Sequence, residues 1–136
     1  MGICLADLNY LAILFAALIN QVWGFLWYSP IMFGKKWAED IGIDLRETDK
    51  KQATRGILAG MVLSVFIYFT IAVIIELTHS SGWSNGAITG FVLALLIGFQ
   101  TAVNYVYEGK SRRLFLINTL FYITAYTIGG AIIGFF

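Results

Sequence analysis

Trp23-Gly24-Phe25-Leu26-Trp27-Tyr28-Ser29-Pro30-Ile31-Met32-Phe33-Gly34-Lys35-Lys36-Trp37 is the stretch whose reading decides the fold. An apolar run ends here, turns, and is followed by an aromatic-rich segment carrying two lysines. Trp27, Tyr28 and Trp37 have amphipathic rings that prefer headgroup depth. Ser29 can cap a new helix, and Pro30 suits its first turn because it has no N–H to lose there. Residues 30–41 therefore read as a short interfacial helix. Phe33 and Trp37 share one face at i and i+4, and Gly42 ends it.

The rest of the chain supports a bilayer as solvent. Apolar residues make up 59% and charged residues 12%, with mean hydropathy +0.78. Soluble domains carry roughly 45–50% apolar and about 25% charged residues, and a soluble chain this short could not hide the excess. Four apolar runs, about 8–28, 56–77, 87–107 and 114–136, are each long enough to cross a hydrocarbon core of about 30 Å. The expected fold is all-α: one domain over 1–136, an integral membrane four-helix antiparallel bundle with a short cytoplasmic interfacial helix.

Charge placement sets the orientation. Lys35, Lys36, Arg46, Lys50, Lys51 and Arg55 lie between the first two runs, and Lys110, Arg112 and Arg113 lie between the last two. The connection 78–85 has no Lys or Arg. With four spans, all nine basic residues fall on one side. The positive-inside rule makes that side cytoplasmic and both termini external, in a plasma or bacterial inner membrane. Thr48 is the expected cap of a helix that carries Lys50 and Lys51 into the second span.

Small residues recur every fourth position: Ala12, Ala16, Asn20 and Gly24; Gly56, Gly60 and Ser64; Gly90, Ala94, Gly98 and Ala102; Gly130 and Gly134. Such stripes let helices approach closely, within the chain or between copies of it. Gln21 and Tyr28 in the first span match Gln100 and Tyr107 in the third in spacing, a faint parallel repeat.

Polar groups inside the spans are the candidate site. Asn20, Gln21, Gln100, Asn104 and Asn118 all fall in the cytoplasmic third, and Glu108 stands at the membrane edge. A carboxamide in hydrocarbon is costly unless paired, so these groups should face one another in an amide belt. The belt is either interhelical glue or the lining of a polar pocket. No catalytic residues and no metal ligands are identified. There is one cysteine and one histidine, so internal disulfides and multi-histidine metal sites are excluded. Glu76 and His79, three apart at the outer end of the second span, read as interfacial residues. Net charge is +1, which makes no case for nucleic acid.

Trp27-Tyr28-Ser29-Pro30 with Phe33-Gly34-Lys35 and Trp37 resembles the signature of an uncharacterised, domain-of-unknown-function family of small four-span membrane proteins. Asn104 with Glu108-Gly109-Lys110, then Leu114 to Asn118 and Tyr122, resembles its second signature. The resemblance implies the four-helix fold and groups the aromatic turn with Asn104, Glu108 and Asn118. It brings no activity and no cofactor.

The function expected is non-enzymatic: a small, oligomeric membrane protein binding a partner helix, a lipid or a neutral small ligand near the cytoplasmic leaflet, in an accessory or scaffold role. Its expected partners are the lipid bilayer and a homo-oligomer or larger membrane assembly. No cofactor is expected. The alternatives are a homo-oligomeric transporter or channel using the amide belt, and a membrane enzyme acting on a lipid or quinone.

Overall fold

The computed structural model describes residues 5–47 and 49–136 and is all-helical, with no strand among them. A single 3-10 turn, Leu5–Asp7, leads into α1 (Tyr10–Trp27). α2 (Gly34–Ile41) is short, and α3 (Lys50–Leu77), α4 (Trp83–Glu108) and α5 (Arg112–Phe135) follow. Four of these, α1, α3, α4 and α5, are long and apolar enough to cross a membrane. Their successive directions alternate, through a long connection that carries α2 between α1 and α3 and short ones after α3 and α4.

α1, α3 and α5 each start where a side chain can satisfy a free N–H group. Asn9 accepts from the Ala12 N–H at 3.0 Å, so α1 begins at Tyr10. The cap of α3 is Asp49, which accepts from Lys51 N–H at 3.1 Å; Thr48, expected in that role, lies outside the described residues. Ser111 caps α5 through Leu114 N–H at 3.0 Å.

The turn after α1 differs from the expectation. Ser29 does not cap α2, and Pro30 is not in its first turn; α2 begins at Gly34, with Phe33 in front of it. Residues 29–33 instead fold back over the end of α1. Phe33 N–H reaches Trp27 C=O at 3.0 Å, and Gly34 N–H reaches Ser29 C=O at 2.9 Å. A Cβ at Gly34 would collide with the Tyr28 and Ser29 backbone, so only glycine allows this closure. Gly42, left-handed at φ 72°, ends α2 as expected, and Ile43 N–H closes onto Ala38 C=O at 2.9 Å.

α5 is the hub of the bundle. It packs against α1, α3 and α4 and receives α2 at its start. α4 lies along α5 for most of its length and meets α3 only narrowly. The stripe Gly90, Ala94 and Gly98, extended by Gly86, is buried in the α4–α5 seam, facing Tyr126, Gly130 and Gly134. These small residues therefore serve packing within the chain. The core is Ile13, Ala16, Ala17, Tyr68, Ile71, Ala72, Ala125 and their neighbours, where α1, α3 and α5 meet.

Candidate functional site

The aromatic turn packs onto the start of α5. Trp27 is 6% exposed, and its indole N–H donates to Ile117 C=O at 3.1 Å. Its N–H is therefore satisfied inside the bundle. Phe33 stacks on Trp27 at 4.6 Å between ring centroids, and Trp37 meets the Tyr28 ring edge-on at 5.3 Å. Phe121 touches both Trp27 and Tyr28.

Asn118 sits at the centre of this cluster. Its Oδ1 accepts from the Tyr28 hydroxyl at 2.9 Å, and its Nδ2 donates to the Tyr105 hydroxyl at 2.7 Å. One carboxamide thus ties α1, α4 and α5 together. α2 is held by charge as well: Arg113 makes a two-pronged pair with Asp40, at 2.6 and 2.9 Å, and reaches Glu39 at 3.1 Å. The Ser111 hydroxyl also donates to Asp40 at 3.1 Å. These bonds, Arg113 foremost, hold the Asp40 carboxyl below the usual carboxylate range.

The remaining amides take separate places. Asn20 Nδ2 donates to Ser64 Oγ at 2.9 Å, and Asn20 Oδ1 lies 3.2 Å from the Tyr68 hydroxyl. That hydroxyl is 2.9 Å from Ala125 C=O, the closer acceptor for its single proton. Gln21 Nε2 donates to Ile57 C=O at 3.0 Å. Gln100 Nε2 reaches Asn104 Oδ1 at 3.3 Å, on an exposed face of α4. Glu108 pairs with Lys110, whose ammonium also lies 4.9 Å over the Tyr105 ring. The structure therefore brings Asn118 to the aromatic turn, joins Asn20 and Gln21 to α3, and leaves Gln100 and Asn104 paired with each other. Glu76 and His79 are exposed, and no group of three or more potential metal-binding side chains occurs among the described residues.

The sequence reading missed Ser64, Tyr68 and Tyr105 as hydrogen-bond partners. Tyr68 was findable in principle: a tyrosine in mid-span needs a partner for its hydroxyl.

Between α1 and α3, at the end where α2 docks, lies a groove of about 520 Å³. Asn20, Gln21 and Ser64 supply its polar lining; Phe25, Leu63 and Phe121 supply apolar wall. Gly56 and Gly60 thin the α3 side, and a Cβ at Gly56 would meet no heavy atom within 4 Å. No carboxylate, ammonium or guanidinium lines the groove. Gln21 Oε1 accepts no hydrogen bond among the described residues, so one acceptor stands open beside the groove.

This arrangement defines a class: an all-α bundle of membrane-spanning helices, tied together by interhelical hydrogen bonds, with a short helix docked at one end. Residues 11–134 match the model of a family described as a protein of unknown function, DUF1761, and the chain belongs to that family. No curated protein and no solved structure matches it.

Proposed function

We propose that this protein is a non-enzymatic binding protein of the membrane that holds a neutral amphiphile, a lipid carrying a hydroxyl or amide donor, in the α1–α3 groove. The observation that carries this reading is the groove's lining: apolar walls, no ionised group, and the open Gln21 acceptor. A ligand's alkyl part would replace lipid contacts at little cost, while its single donor would find the carbonyl that hydrocarbon cannot supply. A charged ligand would find no counter-ion there.

Orientation follows from the basic residues, which this topology gathers at the α2 end. We place that end in the cytoplasm, both termini outside, in a plasma or bacterial inner membrane. The groove then opens at the cytoplasmic leaflet.

Native mass spectrometry of the full chain in mild detergent tests the binding. Wild type should retain lipid. Gly56→Phe fills the groove and Gln21→Leu removes the acceptor, and each should lower the retained fraction several-fold without lowering the unfolding temperature. Equal retention by wild type and both variants would overturn the proposal.

A further inference from the structure

Gln100 and Asn104 present a hydrogen-bonding problem that the chain does not solve. Both are exposed, on the part of α4 that faces away from its glycine seam with α5. At about 1.5 Å per residue, Gln100 lies about 12 Å along the helix from Glu108, well inside the hydrocarbon region. Their mutual bond, at 3.3 Å, uses one donor and one acceptor. Gln100 Oε1, the second Gln100 N–H and both Asn104 N–H groups have no partner among the described residues. Lipid tails offer none, and each unmet group is costly.

The residues around this pair form a seam. Leu96, Gln100, Val103 and Tyr107 follow the alternating four- and three-residue spacing of a left-handed helix pair. Leu96 is 65% exposed, Val103 50% and Tyr107 88%. A single polar residue within such a seam fixes register.

We infer that a second copy of this chain docks on this face of α4, with Gln100 and Asn104 of the two copies hydrogen-bonded across a two-fold axis along the membrane normal. Complementarity points to a copy. A carboxamide is both donor and acceptor, so the leftover groups of one pair match those of its symmetry mate. A copy inserted in the same direction brings its own pair to the same depth. The ionised side chain at the edge of this face, Glu108, is paired with Lys110 of its own chain, so it adds little repulsion between copies. This inference does not depend on what occupies the α1–α3 groove, which lies between other helices.

The test uses the full chain, with Cys4→Ser, reconstituted at low density in phosphatidylcholine vesicles. Gln100→Cys should cross-link to a dimer on mild oxidation, whereas Phe66→Cys, on an exposed part of α3, should not. Single-molecule photobleaching of labelled protein that retains Gln100 and Asn104 should show two-step traces. The double substitution Gln100→Leu with Asn104→Leu should reduce those traces at least tenfold while the helical signal and unfolding temperature hold. Single-step traces from the protein with both amides, equal cross-linking at the two cysteines, or cross-linking of Gln100→Cys to a different protein in native membranes would overturn the inference.

Discussion

Tyr68 is fully buried in mid-span, and its ring lies over Gly129 of α5. The two residues belong to one device. The missing side chain at Gly129 lets the ring come close, and the hydroxyl then reaches Ala125 C=O one turn earlier. A Cβ at Gly129 would collide with the ring, which is held by core residues and cannot swing away. Gly129→Ala should therefore destabilise the bundle by about 1–3 kcal/mol, the usual cost of overpacking. Thermal unfolding in detergent reads this directly, and a midpoint equal to that of wild type would refute the fit. Nothing in the one-dimensional pattern marks Gly129 apart from Gly130, because both fit a small-residue stripe. What separates them is which neighbour each faces: Gly129 faces Tyr68, and Gly130 faces α4.

α2 shows how far an element can be read before its contacts are known. Its amphipathic character and its end at Gly42 are legible in the residues. Its start is not, because Ser29 and Pro30 satisfy the local rules for a helix start while the backbone bonds of Phe33 and Gly34 favour a folded-back turn. Its anchor is tertiary too: Asp40 is only 11% exposed and paired with Arg113, residues far apart in the chain. This pairing makes docking pH-dependent with a definite sign. Arg113 depresses the Asp40 carboxyl in the folded state, so its contribution is present above the ordinary carboxylate range. It is lost as pH falls through the lowered value. Amide exchange over 34–41, corrected for intrinsic rate, should rise at acid pH in wild type. In Asp40→Asn it should already be high at neutral pH. Equal protection of both proteins at neutral pH would show that the ion pair does not hold α2.

For the whole molecule, the spans and the one-sided placement of charge are visible in the sequence because both depend on position along the chain. Depth along the spans also groups the amides into one belt, but depth carries no azimuth. Asn118 faces Tyr28 and Tyr105, Asn20 faces α3, and Gln100 with Asn104 faces outward. Equal levels therefore gave separate places. Orientation in the membrane is open to direct measurement. In a Cys4→Ser background, an impermeant maleimide added to intact cells should label Ser84→Cys and spare Lys51→Cys. The reverse pattern would invert the topology.

The central position of α5 has a consequence for biogenesis. The donors of Trp23, Trp27 and Tyr28 on α1, and of Tyr68 on α3, find acceptors at Thr124, Ile117, Asn118 and Ala125. All of those acceptors belong to α5, which leaves the ribosome after α1 and α3. Until it arrives, the earlier spans sit in the insertion machinery with those acceptors still unsynthesised. Assembly of the bundle thus waits for the synthesis of α5, and a nascent chain cut short before α5 presents quality control with polar groups that the assembled bundle conceals.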